Sequence, residues 1–160
     1  MKISTKGEYG IRAMLYIAMQ DSQEGPVTSH EIATHQGIPE PYLRQILALL
    51  SKDRLILSNR GPQGGHVLAR PAARITIRQI LVTLEGQTSA IDQVLALPCT
   101  IEVGTEYCAI REVFLEVKQA IEQILSRITL QDLVDRQREI LTHKISVPLD
   151  LPSELLPVLR

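Results

Sequence analysis

Residues 28–51 read TSHEIATHQGIPEPYLRQILALLS, and this stretch decides the fold. Either Thr28 or Ser29 suits the N-cap of a short helix, since a side-chain oxygen there can accept a free backbone N–H. The helix is predicted over 30–35, and it stops at Gly37, because glycine readily adopts the backbone conformation that ends a helix. A tight turn therefore follows the first of two helices.

A second helix is predicted from the segment 38–41, which reads IPEP, to about Ser51. Proline is tolerated in the first turn, where backbone N–H groups lack intrahelical partners. Three-and-four spacing gives this helix a buried stripe, formed by Leu43, Ile46, Leu47 and Leu50. Two short helices joined by a glycine-containing turn are typical of a helix-turn-helix, whose second helix enters the major groove of DNA. The sequence predicts Tyr42, Arg44 and Gln45 as residues that face the groove.

A glycine-rich hairpin is predicted next, with strands over 55–58 and 66–69 around the sequence NRGPQGG at 59–65. Such a hairpin beside a helix-turn-helix predicts a wing. Arg60 can reach phosphates or the narrow minor groove, and Gln63 is a second candidate DNA contact. Neither the GxGxxG nor the Walker spacing of a nucleotide-binding loop is present.

Two further apolar periodicities indicate helices on either side of this unit. The first helix, capped by Ser4 or Thr5, is expected to bury Ile11, Met14, Leu15, Ala18 and Met19. A long helix after residue 110 repeats apolar residues at the same spacing, namely Val113, Val117, Ala120, Ile121, Ile124 and Ile128. That stripe suits a coiled-coil-like contact in a homodimer, whose symmetry would match palindromic DNA. Thr129 is predicted to cap a final short helix, from Leu130 to about Leu141.

The predicted fold is mainly α with a small β wing, a winged helix-turn-helix followed by a long dimerisation helix. Residues 1–86 form the DNA-binding domain and 87–110 a cysteine-containing sensor loop. The dimerisation helix and the short C-terminal helix occupy 111–142, and 143–160 form a proline-rich tail. A chain of 160 residues is too short for a two-domain enzyme. No catalytic constellation or nucleotide-binding loop stands out, so the sequence predicts a protein that is not an enzyme.

The charge distribution supports a nucleic-acid partner. Residues 1–78 carry 10 basic and 6 acidic side chains, whereas residues 79–160 carry 7 and 12. The segment 41–78 contains seven basic residues and a single acidic residue, Asp53. A basic surface on a chain that is nearly neutral overall is typical of proteins that contact the phosphates of nucleic acid. No apolar run approaches the roughly 18 residues that span a bilayer, so we expect a cytoplasmic protein without membrane contact.

Several motifs, taken in order, resemble the winged-helix regulator family of the iron–sulfur cluster assembly, nitric-oxide-sensing and cysteine-metabolism repressors (IscR, NsrR and CymR). They are MKISTKGEYG at 1–10, the turn at 32–38, Tyr42-Leu43, RGPQGG at 60–65, the segment 75–86 and ITLQDL at 128–133. The resemblance implies a homodimeric transcription factor that often holds an iron–sulfur cluster beside its dimerisation helix. Two positions depart from the family: His66 replaces the wing's usual aromatic residue, and Arg44 stands where some members carry a glutamate that chooses between DNA sites.

The resemblance also suggests how a cluster would be held. Cluster-binding members commonly have three cysteines before the long helix, but this chain has only Cys99 and Cys108. A [2Fe–2S] cluster needs four protein ligands in total, so oxygen or nitrogen donors must complete the set. Some members use a carboxylate at the position of Glu8, and a variant of the site adds a histidine at the position of His35. The resemblance therefore implies Cys99 and Cys108 of one subunit with Glu8 and His35 of the other.

Other interpretations of the same residues stay open. Glu8 in a first helical turn and His35 in a last turn are each favoured by the helix dipole alone. The four side chains could hold zinc, although structural zinc sites use closer cysteine pairs, and Cys99 and Cys108 could form a reversible disulfide. The alternative function is a cofactor-free winged-helix regulator controlled by a protein partner or by oxidation of Cys99 and Cys108.

Overall fold

The computed structural model describes residues 4–20, 25–61, 64–86 and 108–144, together with Asp92 and Leu95. The helices are α1 (Thr5–Gln20), α2 (Ser29–Gln36), α3 (Glu40–Lys52), α4 (Ile77–Glu85), α5 (Ala109–Arg127) and α6 (Leu130–His143). The strands are β1 (Ile56–Asn59) and β2 (Gly65–Leu68), and a 3-10 turn follows over Ala72–Arg74. A mainly helical chain with one small two-stranded sheet confirms the predicted fold class. Within the described residues, no helix has the length and apolar character to cross a membrane.

The pair α2 and α3 forms as the sequence predicts. The side chain of Thr28 accepts a hydrogen bond from the backbone N–H of Glu31 at 3.2 Å, and Gly37 ends α2 with φ at 61°. The predicted stripe of α3 is buried, with at most 1% of each residue exposed: Leu43, Ile46, Leu47 and Leu50. This stripe supplies the centre of the core, so the opposite face of α3 is left at the surface.

The wing is an antiparallel hairpin whose strands are displaced by one residue from their predicted positions. Ile56 pairs with Leu68 and Asn59 pairs with Gly65. The backbone of Val27, just before α2, pairs with β2 across an isolated bridge. The wing is therefore joined by main-chain hydrogen bonds to the segment that leads into α2.

The first helix buries Met14 and Ala18 of the predicted stripe, but not the rest of it. Its buried residues are Gly7, Gly10, Ala13, Met14, Ile17 and Ala18, while Ile11, Leu15 and Met19 are only half-buried at the edge of the core. A Cβ on Gly10 would lie 2.0 Å from Cδ1 of Leu84, so the glycine allows α4 to approach closely. Gly7 and Gly10 were not part of the expected stripe, and their burial turns the buried face partly away from Ile11, Leu15 and Met19.

The last helix returns to the winged-helix unit, whereas α5 does not enter the core. Thr129 and Asp132 form a capping box at the start of α6, and Leu130 and Val134 are buried with the residues of α1. In the described chain, α5 has no buried residue. Its large exposed apolar side chains are Ile110, Val113, Phe114, Leu115, Val117 and Ile124.

Candidate nucleic-acid interface and cluster ligands

The amino-terminal end of α3 carries a charged network that reaches α2. Arg44 donates two hydrogen bonds to Oε1 of Glu40, from Nε at 3.2 Å and from Nη2 at 2.6 Å. The other oxygen, Oε2, lies 3.1 Å from Nδ1 of His30. These contacts, with Arg44 contributing most, hold the pKa of Glu40 below its usual value. Arg44 is exposed, but its guanidinium is hydrogen-bonded to Glu40. Contact with a base therefore requires Arg44 to give up at least part of that interaction.

The three residues predicted to face the major groove differ in their exposure to solvent. Gln45 and Arg44 are exposed, whereas Tyr42 is half-buried. The Tyr42 ring meets the Tyr9 ring of α1 edge-on, with centroids 6.1 Å apart and planes at 71°. Tyr42 thus lies at the seam between α1 and α3. The base contacts of all three residues stay predictions.

Arg60 lies at the rim of a tightly closed loop. It is exposed directly after β1, and Gly61 has φ at 116°, a conformation that side-chain-bearing residues rarely adopt. A Cβ on Gly64 would lie 2.4 Å from the carbonyl oxygen of Asn59, so the loop has no room for a side chain there. The DNA contact of Arg60 stays a prediction, and Gln63 lies outside the described residues.

His66 fastens the wing to the helix-turn-helix. Its Nε2 lies 2.9 Å from Oγ of Ser29 on α2, and its Nδ1 lies 2.9 Å from Oγ of Ser58 on β1. Its backbone N–H donates to the carbonyl oxygen of Val27 at 2.8 Å. Burial lowers the pKa of His66, because the charged imidazolium loses hydration there. His66 thus ties β1, β2 and α2 together.

Glu8 and His35 lie on one continuous surface formed by α1 and the end of α2. Glu8, Arg12 and Tyr16 follow each other at intervals of four residues, which places them on one face of α1. Nη1 of Arg12 lies 3.5 Å from Oε1 of Glu8, and its Nη2 donates to the carbonyl oxygen of Gln36. The Tyr16 ring stacks on the His35 ring, with centroids 5.2 Å apart and planes at 22°. Both predicted ligands are exposed, and Arg12 and Tyr16 link them.

The cysteine side of the predicted ligand set is only partly described. Cys108 is half-buried and is the N-cap residue of α5, and Cys99 lies outside the described residues. The positive end of the α5 dipole favours an anionic group at that position. In the described part of a single chain, no three His, Cys, Asp or Glu side chains are grouped so that they could hold a metal ion. A site of four ligands would therefore have to be completed outside these residues or by a second subunit.

Sequence reasoning missed the supporting residues Arg12, Tyr16 and Glu40. The four-residue spacing between Glu8 and Arg12, and between Glu40 and Arg44, is a visible signal for helical ion pairs. The stacking of Tyr16 on His35 joins two helices, so no spacing within one helix could reveal it.

The sequence pattern of the Rrf2 family, described as an iron-dependent transcriptional regulator, matches residues 3–136. The HTH-type transcriptional regulator IscR of Xenorhabdus nematophila is 36% identical over 137 residues, which cover 86% of this chain and 81% of that protein. IscR of Serratia proteamaculans is 33% identical over the same shares of the two chains.

Solved structures show the same similarity. CymR, the global cysteine regulator of B. subtilis, superposes with a TM-score of 0.71 at 31% identity, covering 85% of this chain and 98% of that chain. IscR of T. potens superposes with a TM-score of 0.72 at 34% identity, covering 92% of this chain and 94% of that chain. The similarity therefore extends over nearly the whole of both solved chains.

Proposed function

This chain belongs to the Rrf2 family of transcriptional regulators, and on that premise we propose that it binds palindromic promoter DNA as a homodimer and senses redox or iron state through a [2Fe–2S] cluster shared between subunits. The family is one of regulators and not of enzymes. The observation that carries the DNA-binding part is the exposed first half of α3, with Arg44 and Gln45 at the surface, together with the exposed wing residue Arg60. Phosphate contacts by Arg60 would give affinity, and base contacts by Arg44 and Gln45 would give discrimination.

The exposed apolar side chains of α5 support the homodimer. Val113 is 58% exposed, Val117 42% and Ile124 46%, and all three belong to the predicted stripe. A second copy of the same helix would remove this surface from water, and a two-fold axis would place two recognition helices on successive major grooves.

The surface that joins Glu8 and His35 supports the shared cluster. The carboxylate and the imidazole would supply two of the four ligands, and Cys99 and Cys108 of the other subunit the remaining two. When bound, a [2Fe–2S] cluster supplies a one-electron redox centre, and its potential rises when histidine replaces cysteine. Tyr16 stacks on the His35 ring and restricts its orientation, while Arg12 places a positive charge beside Glu8.

Anaerobic purification tests the cluster. We expect visible absorption with stoichiometric iron and sulfide, loss of the chromophore in Cys99→Ala and Cys108→Ala, and an altered spectrum or potential in Glu8→Ala and His35→Ala. His30→Ala is the matched control, because His30 lies on the same short helix but contacts Glu40 instead of α1. An unchanged spectrum and potential in both Glu8→Ala and His35→Ala would show that the ligand assignment is wrong.

Footprinting tests the DNA-binding part independently. Protection of a palindromic promoter site is expected, with a preference for base sequence that changes in Gln45→Ala and Arg44→Ala. A side chain that hydrogen-bonds a base edge contributes on the order of 1–3 kcal/mol of discrimination, which each substitution should remove. Absence of protection at any palindromic site would overturn the DNA-binding proposal whatever the colour of the protein.

Structural similarity to CymR favours a second candidate, a cofactor-free regulator controlled by a protein partner or by oxidation of Cys99 and Cys108. One of the similar solved chains is an oxidized form of CymR from Staphylococcus aureus, at a TM-score of 0.67 and 30% identity. Colourless, iron-free protein that still binds DNA would favour this candidate. Sensitivity of that binding to a thiol oxidant, abolished by Cys108→Ala, would separate thiol control from a protein partner.

A further inference from the structure

A groove of about 390 Å³ lies at the base of the winged-helix unit. Lys52 and Arg54 line it where α3 turns into β1, Arg70 lines it just after β2, and Arg78 lines it from α4. Lys52 follows the residues expected to read bases, Tyr42 to Gln45, by seven to ten residues of α3, which rise about 1.5 Å each, so the groove lies roughly 10–15 Å from them along the helix. Arg60 follows the last residue of β1 and lies at the opposite end of the hairpin. The proposed DNA contacts therefore do not account for the groove.

The groove concentrates positive charge. Among the described residues, its lining contains the four cationic side chains named above and a single carboxylate, that of Asp53. Like charges gathered in one concavity repel each other, and the field that they create attracts an anion. The basic segment 41–78 therefore divides in space between the DNA-facing end of the unit and this groove at its base.

Arg70 has a hydrogen-bond donor that the described residues leave unused. Its Nη2 donates to Oε1 of Gln79 at 3.2 Å, but its Nε is buried without an acceptor among the described residues. A buried donor without a partner costs free energy, and a guanidinium binds carboxylates and phosphates through paired N–H groups. A modest rotation of the half-buried side chain would present Nε to an oxyanion in the groove.

Arg78 connects the groove to the long helix. Its Nη2 lies 3.8 Å from Oε1 of Glu122 on α5, which is a long and solvent-accessible ion pair. An anion in the groove would compete with Glu122 for the same guanidinium. Occupation of the groove would thus weaken a contact between α4 and α5.

We propose that this groove binds a small oxyanion of two or more negative charges, a phosphate ester or a polycarboxylate, held by Arg70 with Lys52, Arg54 and Arg78. Binding releases Glu122 from Arg78 and loosens the attachment of α5 to the winged-helix unit. The binding stands on the groove itself. Only its consequence, a second input that alters DNA affinity, rests on the proposed function.

Isothermal titration of the full chain without DNA tests the binding, with inorganic pyrophosphate and citrate as probes at constant ionic strength. Saturable binding of either probe is expected and identifies the class of anion. Arg70→Gln should weaken it at least about tenfold. The matched control is Arg74→Gln, which removes one positive charge from the adjacent 3-10 turn outside the groove lining and should leave the affinity within about twofold of wild type.

The variant Glu122→Gln tests the competition. It removes a half-buried carboxylate and should tighten probe binding severalfold, because Arg78 loses its competing partner. Arg54→Gln, a substitution of an exposed residue, replaces Arg70→Gln if that variant does not fold. Equal losses of probe affinity in Arg70→Gln (or its replacement Arg54→Gln) and in Arg74→Gln would overturn the site. The absence of saturable binding of either probe would overturn it too. Weakened promoter binding by Arg70→Gln without probe binding would assign the groove to the DNA backbone and overturn the proposal. Because the titration contains no DNA, its failure is distinct from failure of the proposed function.

Discussion

The helices α3 and α5 carry the same kind of apolar stripe and reach opposite outcomes within one chain. In α3 the four stripe residues are at most 1% exposed, whereas Val113, Val117 and Ile124 of α5 are 42–58% exposed. Both stripes follow three-and-four spacing, so spacing alone does not decide burial. The difference is the partner, since α1, α2, α4 and β1 of the same chain contact α3, whereas α4 contacts α5.

An apolar face that its own chain leaves open is a surface that a second chain can cover. Large exposed apolar patches on a soluble domain mark interaction sites, and a symmetric dimer uses the same patch on both copies. The periodicity of a helix therefore reports a face to be buried, while the rest of the sequence determines whether folding or association buries it. Each of the two faces is separately testable.

The largest expected effect is on folding through the α3 face. Leu47→Ala should lower the free energy of unfolding by about 2–5 kcal/mol, because it removes buried methyl groups and leaves a cavity. Leu57→Ala is the matched control, since Leu57 is 51% exposed and its truncation should change stability by no more than about 0.5 kcal/mol. Urea unfolding at one fixed protein concentration measures both. Equal losses would mean that the burial of the two leucines does not differ in solution.

The next effect is on association through the α5 face. Val117→Glu should raise the dimer dissociation constant by about two orders of magnitude, because the buried charge is present twice in a two-fold interface. Gln119→Glu adds the same charge to the same helix outside the stripe and should leave the dimer intact. Sedimentation equilibrium distinguishes the two variants. A Val117→Glu protein that still dimerises like wild type would remove α5 from the interface.

The helix α4 was not predicted from the sequence, whereas the family and the core of α3 were, and the structure and the similar proteins confirm both. These features are predictable because capping residues and periodicity act locally. The stripe that the sequence predicted for α1 was right only in part, because Gly7 and Gly10 take part in packing through the absence of a side chain, which hydrophobic spacing ignores.

What the sequence could not show is contact between distant segments. The basic groove brings together residues from α3, the end of β2 and α4, and the stacking of Tyr16 on His35 joins two helices. Neither pairing has a fixed separation along the chain. Charge counting alone indicates one basic surface, whereas in the folded chain four of the seven basic residues between 41 and 78 line the groove.

The wing and α5 should differ in what they contribute to DNA binding. Arg60→Ala should weaken binding to all DNA sequences by on the order of 1–3 kcal/mol and reduce the salt dependence of the affinity, because alanine cannot reach a phosphate or the minor groove. Arg127→Ala, which removes an exposed arginine from α5, is the control and should leave DNA affinity unchanged. Titrations of labelled promoter DNA at several salt concentrations measure both effects. Unchanged affinity in Arg60→Ala would place the wing away from DNA.

The smallest expected effect is on the stability in acid of the winged-helix unit, where His66 joins the wing to α2. Burial holds the pKa of His66 below its ordinary value, so the unfolded chain binds a proton more readily than the folded chain. The stability that the neutral ring contributes is therefore complete above the ordinary pKa of histidine, near about 6.5, and is lost as the pH falls toward the lower folded value. Protonation would also turn both ring nitrogens into donors, so Ser29 and Ser58 would both have to accept.

Between about pH 7.5 and about pH 5.5, the unfolding midpoint should fall further in wild type than in His66→Gln, which has no titrating ring. His143→Gln, at the exposed end of α6, should show the wild-type dependence. If the pH dependence is the same in His66→Gln and wild type, protonation of His66 is not coupled to folding.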